Sequence, residues 1–250
     1  MNIIIAINAR LNSSRLEKKH FSEVDSEAIL SILIRRIQNL LSSIIQKKSI
    51  QIYICTGNKN ENAQFEEFST RHDIGIFYGD DNNIPYRQFQ LADNISANGI
   101  VSVDGDDIFC APEAIASIIN ALIDGENYVI TKGLPFGMNC FGYSKSFLGS
   151  ALKNNSQEIL ETGWTDIFDS RLAKNIFFKN LAYSEIRATL DYDLDLDFFS
   201  NCTSFIEDIR SVSTEELIGK ILKNKLYKIN NSLNETYWAN FRMQNAKEKT

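Results

Sequence analysis

The chain begins with a short apolar run that is followed at once by a basic loop. Residues 3–7 read Ile-Ile-Ile-Ala-Ile, a β-branched run typical of a buried strand in a parallel sheet. Residues 8–19 then carry two arginines, two serines and two lysines. Open α/β sheets bind ligands at the carboxyl ends of their strands, where this loop would lie. Cations and hydroxyl groups at that edge suit a polyphosphate, and a solvated basic connection between strand and helix is the alternative.

The remaining pattern predicts an α/β fold. Helical spacing alternates with short apolar runs: helices at 28–41, 60–71, 85–94 and 112–123, and strands at 50–55, 75–78, 99–103 and 128–130. Strands separated by helices imply a mainly parallel sheet with right-handed crossovers. Beyond these, the pattern predicts strands at 140–143, 176–178 and 186–190 and helices at 214–223 and 237–247. We expect one domain over residues 1–250, with a catalytic core at 1–212 and a C-terminal helical extension at 213–250.

Composition excludes several classes of protein. A chain of 250 residues with 44% hydrophobic content can build one large core. Its net charge of -6 argues against a general nucleic-acid binder. No apolar stretch approaches the roughly 18 to 20 residues that cross a bilayer, and the N-terminal run lacks the basic flank of a signal peptide. The four cysteines are far apart in sequence, which predicts reduced thiols, no zinc site and a cytoplasmic protein.

The basic loop resembles the opening signature of a known enzyme family. CMP-sugar synthetase-like cytidylyltransferases, which include the spore-coat polysaccharide, CMP-Kdo and CMP-sialic acid synthetase group, share the pattern A-R-x-x-S-[ST]-R-L-P-G-K. The matching residues are Ala9, Arg10, Ser13, Ser14, Arg15, Leu16 and Lys19. Glu17 and Lys18 stand where the family has Pro and Gly. The resemblance implies a three-layer, Rossmann-like nucleotide-diphospho-sugar transferase fold, with nucleotide bound by this solvent-accessible loop.

An acidic turn follows the predicted strand at 99–103. Asp104-Gly105-Asp106 would place carboxylates at the same edge of the sheet as the basic loop. Carboxylate oxygens are ligands for Mg²⁺, although a helix cap or a plain Asp-rich turn is the alternative. The resemblance assigns metal binding to Asp106, and we place Asp104 with the nucleotide-binding residues.

A second acidic motif occurs late in the chain. Residues 187–191, Arg-Ala-Thr-Leu-Asp, resemble the family's R-[LF]-T-[LV]-D motif. The resemblance makes Asp191 the second metal ligand. For Asp195 and Asp197 we expect the role of solvated caps at the start of a helix.

The acceptor side is less clearly marked. The resemblance places Arg87 near the nucleotide or the sugar acid and Asn139 in the acceptor loop, and we assign Trp164 to the acceptor pocket. The alternatives are an exposed helix arginine and a core or interface tryptophan. His20 and His72 are the only histidines. No carboxylate or hydroxyl partner is apparent for His20 in the sequence, so a Ser-His-Asp hydrolase is not predicted.

Together the motifs imply nucleotidyl transfer. The resemblance predicts a CTP-dependent cytidylyltransferase that activates a sugar acid or related saccharide, giving a CMP-sugar and pyrophosphate for surface polysaccharide or glycan biosynthesis. The catalytic residues would be Arg10, Arg15, Lys19 and Asp106, with magnesium (Mg2+) as cofactor on Asp106 and Asp191.

The sequence also suggests binding partners and leaves two alternative functions open. Expected partners are CTP and a small sugar-acid substrate, with no nucleic acid and no membrane, and a homodimer is an open alternative. A glycosyltransferase of the related fold, using Asp104-Gly105-Asp106 as its D-x-D, is a second candidate function. A non-catalytic nucleotide-binding homologue is a third, because Glu17, Lys18 and Asn139 depart from the family pattern.

Overall fold

The computed structural model describes residues 1–11 and 16–249, and a seven-stranded sheet forms its centre. In chain order the strands are β1 (Ile3–Asn8), β2 (Glu23–Val24), β3 (Glu27–Ala28), β4 (Gln51–Thr56), β5 (Gly75–Tyr78), β6 (Gly99–Asp104), β7 (Tyr128–Lys132), β8 (Phe141–Ser144) and β9 (Lys174–Phe177). The sheet order is β5-β4-β1-β6-β8-β7-β9, and β2 and β3 form a separate hairpin. β8 runs antiparallel to both β6 and β7, whereas the other pairs within the seven-stranded sheet are parallel.

Helices follow most strands, as the alternation predicts. They are α1 (Ile29–Lys48), α2 (Lys59–Asn62), α3 (Glu66–His72), α4 (Ile84–Asn94), α5 (Pro112–Ile123), α6 (Lys145–Lys153), α7 (Asp193–Phe205), α8 (Thr214–Lys223) and α9 (Leu233–Glu248). Local signals explain several starts. The Asn83 side chain accepts from Tyr86 N ahead of α4, and Pro112 opens α5, where a missing N–H costs no hydrogen bond.

The helices cover both faces of the sheet. Alternate residues of β1 point to opposite sides: Ile3, Ile5 and Ile7 join a cluster with α1 and α5, and Ile4 and Ala6 join a second cluster with α4 and α6. Three layers result, with the sheet in the middle, so the predicted three-layer α/β architecture is confirmed. α8 buries its apolar face in the first of these clusters.

One predicted strand is wrong. Residues 186–190 make a single bridge, between Arg187 and Phe136, and do not extend the sheet. Instead Leu190 N donates to Asp106 O at 2.9 Å and Ala188 N to Phe136 O at 2.8 Å. The segment therefore crosses the loops that follow β6 and β7, and its apolar residues are buried there. Among the helices that the structure describes, none is long and apolar enough to cross a membrane.

Candidate active site

The carboxyl ends of β1 and β6 lie side by side and form the floor of the site. Asn8 pairs with Asp104 in the sheet register, and its side-chain amide donates to Ser102 Oγ and to Asp104 Oδ1, both at 3.0 Å. Gly105 N then donates to Asn8 O at 2.7 Å. A Cβ at Gly105 would lie 2.8 Å from that same oxygen, so this close approach requires glycine.

A buried ammonium group joins the two acidic motifs. Lys19 Nζ lies 2.6 Å from Asp106 Oδ2 and 3.3 Å from Asp191 Oδ1, and it donates to Leu190 O at 2.9 Å. The structure thus brings together the two carboxylates that the sequence predicts as metal ligands. The expectation of a solvent-accessible Lys19 is wrong, because the residue is only 4% exposed. The 3₁₀ turn Lys19–Phe21 carries it against the acidic groups after the chain reverses at Lys18.

His20 contributes a second nitrogen to this cluster. Its Nε2 lies 3.0 Å from Asp106 Oδ1, and its buried ring packs edge-on against Phe65. The sequence-based view that His20 lacks a carboxylate partner is therefore wrong. The sequence signal for this contact was the position of His20 directly after Lys19, in the loop predicted to face the acidic edge of the sheet.

The carboxyl groups of the acidic turn have pKa values that are shifted in opposite directions. Burial favours the neutral acid, yet Lys19 and His20 hold the pKa of Asp106 well below its ordinary value. Burial, together with the charges of Asp106 and Asp191 and against the hydrogen bond from Asn8, raises the pKa of Asp104 to about 6. Burial and the neighbouring Asp104 raise the pKa of Asp107 well above its usual range. Asp106 is therefore the firmly ionised member of this acidic turn.

Arg187 positions Asp191 from behind. This fully buried guanidinium donates to Asp191 Oδ2 at 3.0 Å and to Asp195 Oδ1 at 2.9 Å. Asp195 Oδ2 in turn accepts from Asp191 N at 2.9 Å, as part of the cap at the start of α7. Asp195 is fully buried, so the expected solvated cap is wrong for this residue. The sequence indicated the motif here but not the supporting role of its arginine.

These groups open into a cavity of about 630 Å³. It is lined by nine of the residues predicted for the site: Ala9, Arg10, Lys19, Arg87, Asp104, Asp106, Asn139, Trp164 and Asp191. Ser13, Ser14 and Arg15 lie outside the described residues. A site-sized cavity thus adjoins the acidic cluster at the carboxyl edge of the sheet, where ligands bind in open α/β folds.

Arg10 forms an ion pair with Glu161, NH1 to Oε2. About half of the arginine side chain remains exposed, whereas the glutamate is mostly enclosed. Burial raises the pKa of Glu161, against the opposing effect of Arg10. Nothing in the sequence pattern marks Glu161, because the two residues are 151 positions apart.

The three residues predicted for the acceptor side all line the cavity but also hold the local structure. Arg87 is buried rather than exposed, and its guanidinium donates to Asp80 O at 2.8 Å. Asn139 Nδ2 donates to Leu134 O at 2.9 Å and so closes its own loop. Trp164 is buried, and its ring packs edge-on against Phe141 at 5.0 Å between centroids. Substrate contacts for these residues stay predictions.

A second wall of the cavity comes from a segment that the sequence gave no reason to place there. α9 lines it with Tyr237, Trp238, Asn240, Phe241, Met243 and Gln244. The loop between β7 and β8 adds Phe136, whose ring lies 5.1 Å from Tyr237 and 5.4 Å from Trp238. In the sequence, α9 was predicted only as part of a helical extension.

Comparison with known proteins identifies the family. A family model described as cytidylyltransferase matches residues 3–232, which include the basic loop and both acidic motifs. The chain belongs to the cytidylyltransferase family. The resemblance drawn from the three motifs is thereby confirmed, and family membership makes the chain a CTP-dependent nucleotidyltransferase.

One relative and two solved structures show how far the similarity extends. Over 138 residues the chain is 26% identical to the spore coat polysaccharide biosynthesis protein SpsF of Bacillus subtilis, covering 55% of this chain and 57% of that protein. A cytidylyltransferase structure from Leptospira borgpetersenii is similar with a TM-score of 0.78 and 18% identity, covering 91% of this chain and 96% of that one. The structure of a CMP:2-keto-3-deoxy-manno-octonic acid synthetase complexed with CTP is similar with a TM-score of 0.59 and 10% identity, covering 82% and 99%. The predicted nucleotide-diphospho-sugar transferase fold is confirmed.

The acidic cluster fits a hard divalent cation of the kind predicted. Asp106 and Asp191 already flank one cation, the Lys19 ammonium, so two carboxylate oxygens converge on a position of positive charge. Within residues 1–11 and 16–249, no site combines three or more His, Cys, Asp or Glu side chains around one position, so the protein would supply only the two carboxylates. Mg²⁺ typically takes one or two protein carboxylates and completes its shell with water and phosphate oxygens, which matches this donor set.

Proposed function

We propose that this cytidylyltransferase transfers CMP from CTP to a sugar acid or related saccharide and releases pyrophosphate. The observation that carries the proposal is the shared contact of Lys19 with Asp106 and Asp191 beside the cavity. A role in surface polysaccharide or glycan biosynthesis is supported by the similarity to the spore coat polysaccharide biosynthesis protein of Bacillus subtilis. We further propose that the enzyme acts in the cytoplasm, and a homodimer remains an open alternative.

The cations of the first loop would bind the triphosphate. Arg10 and Lys19 both line the cavity, and both now contact carboxylates. A triphosphate that enters offers phosphate oxygens to the same groups, with Arg15 as a further proposed ligand. Cations fixed at the β- and γ-phosphates stabilise the negative charge that develops on departing pyrophosphate.

Asp106 and Asp191 would hold Mg²⁺. When bound, the ion would neutralise charge on the α-phosphate and lower the pKa of the acceptor hydroxyl. Arg187 keeps the Asp191 carboxylate in place through its 3.0 Å hydrogen bond. His20 Nε2 lies 3.0 Å from Asp106 Oδ1, and Lys19 contacts the other oxygen of that carboxylate, Oδ2. The ligands are therefore oriented before substrate arrives.

The reaction needs no covalent enzyme intermediate. The acceptor oxygen forms a bond to the α-phosphorus, the bond from that phosphorus to the bridging oxygen of the β-phosphate breaks, and the hydroxyl proton passes to solvent. Phosphoryl-type transfer depends mainly on positioning and charge stabilisation. We propose that Arg87, Asn139 and Trp164 shape the acceptor side, and that Ala9, Ser13, Ser14 and Asp104 lie against the nucleotide.

Pyrophosphate release tests this function. Purified protein is incubated with Mg²⁺, one of the four ribonucleoside triphosphates and a panel of saccharides that includes 2-keto-3-deoxy-manno-octonic acid. We expect pyrophosphate only with CTP and an acceptor, and loss of release with EDTA or in Asp106→Asn. Release with another triphosphate, or CTP binding without turnover on any saccharide, would contradict the proposal.

A further inference from the structure

Helix α9 is rich in aromatic residues and lies outside the hydrophobic core. It is sixteen residues long and buries none of them, although it carries Tyr237, Trp238 and Phe241. The cytidylyltransferase model matches residues up to 232, and α9 begins at Leu233. The helix therefore lies beyond the matched residues and yet forms a wall of their cavity.

One end of α9 is attached to the second acidic motif. The Tyr237 ring stacks on the guanidinium of Arg187, with 4.7 Å from the guanidinium carbon to the ring centroid. Asn240 Nδ2 donates to the hydroxyl of Tyr192 at 3.1 Å. This end of the helix is thus fixed to the residues that hold Asp191.

The other end is attached on the far side of the cavity. Glu248 Oε2 accepts from Thr162 N at 2.8 Å and from Glu161 N at 3.2 Å. Lys249 Nζ lies 2.7 Å from Asp166 Oδ2. α9 is therefore attached at both ends, and the residues between these attachments line the cavity without being packed into a core.

Trp238 is the most exposed aromatic group of this wall. It is 42% exposed, and its ring lies 5.4 Å from Phe136 and 5.5 Å from Phe241. Neighbouring rings fix its orientation, while one part of its surface stays in contact with water. A large ring held rigidly at the edge of a cavity offers a binding surface at small entropic cost.

The two walls of the cavity differ in charge. The wall at the ends of β1 and β6 carries Arg10, Lys19 and Asp106, whereas every residue with which α9 lines the cavity is uncharged. A triphosphate belongs at the cationic wall. The α9 wall combines aromatic rings with the amide of Gln244, which suits the apolar face and the hydroxyl groups of a saccharide.

We propose that α9 forms the acceptor-side wall of the active site, with Trp238 as a specificity-determining residue. Trp238 and Phe241 pack against the apolar face of the saccharide, and Gln244 hydrogen-bonds its hydroxyl groups. The inference rests on the proposed function, since it names the part of the molecule that recognises the acceptor.

Steady-state kinetics test the assignment with Trp238→Ala. Using the saccharide that supports pyrophosphate release, we expect the acceptor KM to rise tenfold or more and the CTP KM to change less than twofold. Arg242→Ala is the matched control, because Arg242 lies on the same helix and does not line the cavity. A rise in the CTP KM, or an unchanged acceptor KM, would overturn the inference.

Fluorescence separates this inference from the proposed function. The chain has two tryptophans, so the emission lost in Trp238→Phe reports on this residue. Wild type and Trp238→Phe are titrated with CTP alone and with each saccharide of the panel. We expect a Trp238-dependent change with the acceptor and none with CTP. A change with CTP alone would place α9 on the nucleotide side and overturn the inference.

Pyrophosphate release from the same samples completes the comparison. If no saccharide supports release, the proposed transfer fails. A Trp238-dependent change with a saccharide would in that case still support a sugar-binding wall, and its absence with every saccharide would overturn the wall as well.

Discussion

Lys19 Nζ lies 2.6 Å from Asp106 Oδ2, although 87 positions separate the two residues in the sequence. The contact joins a cation of the first loop to the acid that follows β6. An anionic ligand that approaches Lys19 therefore competes with a carboxylate for the same ammonium group. Binding and the arrangement of the acidic cluster are coupled through this one side chain.

Replacement of Lys19 should affect both activity and stability. We expect Lys19→Ala to lower kcat/KM by about 10²- to 10³-fold, as for other groups fixed at developing charge. Because the change leaves carboxylates without their buried cation, we also expect a loss of about 3 kcal/mol in unfolding free energy. Pyrophosphate release and urea denaturation measure the two effects. Lys18→Gln, at an exposed neighbour, is the control, and equal effects in both variants would refute the assignment.

Arg187→Met tests the support behind Asp191. The substitution keeps an apolar side chain in place but leaves Asp191 and Asp195 buried without their guanidinium. We expect the free energy of unfolding to fall by about 3–5 kcal/mol, measured by urea denaturation. Arg171→Met, which breaks the exposed pair with Asp169, should leave stability unchanged. A fully stable Arg187→Met protein would show that the buried pairs are dispensable.

Lys18 adopts a left-handed backbone conformation, with φ 51°, where the family pattern has glycine. A side chain in this region costs about 1–2 kcal/mol, and glycine recovers part of that against its own greater chain entropy. We expect Lys18→Gly to stabilise the protein by about 0.5–1 kcal/mol in thermal or urea unfolding. Lys47→Gly, inside α1, should instead destabilise it. Destabilisation by both substitutions would argue against strain at Lys18.

Glu161→Gln should strengthen CTP binding. Glu161 holds Arg10 in an ion pair, so removal of its charge frees the arginine for phosphate. Partly exposed pairs contribute about 0–1 kcal/mol, which corresponds to a decrease of up to about fivefold in the CTP KM. Glu158→Gln, at an exposed site in the same segment, is the control. An increased KM for CTP in Glu161→Gln would mean that the glutamate assists binding.

His72 should make stability depend on pH. Its ring lies 2.8 Å from Ser31 Oγ, and burial, followed by the charge of Arg35, lowers its pKa. The folded state thus favours the neutral ring. The contribution of His72 to stability is therefore complete above the unfolded pKa near 6.5, and it is lost as pH falls toward the lower pKa of the folded state. We expect His72→Gln to lose less stability than wild type between pH 7.5 and 5.5. Equal losses in the two proteins would exclude His72 as the cause.

The features that sequence reasoning placed correctly are local. A β-branched run predicted β1, and prolines marked the first turns of α4 and α5. Short motifs marked Lys19, Asp106 and Asp191, which the structure brings into contact, while their catalytic roles stay predictions. The features that it missed depend on distant parts of the chain. Glu161 meets Arg10 across 151 positions, and the buried Asp195 accepts a hydrogen bond from Asn230, 35 positions further along the chain. No periodicity encodes such contacts, and the apolar spacing at 186–190 equally suits a strand or a buried crossing segment.

The antiparallel direction of β8 allows the loop beside the cavity to vary without a change in the sheet. Because β8 runs against β7, residues 133–140 leave and re-enter the sheet at the edge that carries the cavity. This loop contributes Phe136 and Asn139 to the cavity, on the side that we propose binds the acceptor. Changes in its length or sequence can therefore remodel that side while the strand order and the acidic cluster stay as they are. In evolutionary terms, the hairpin is an exchangeable unit through which one nucleotide-activating core could acquire new acceptors.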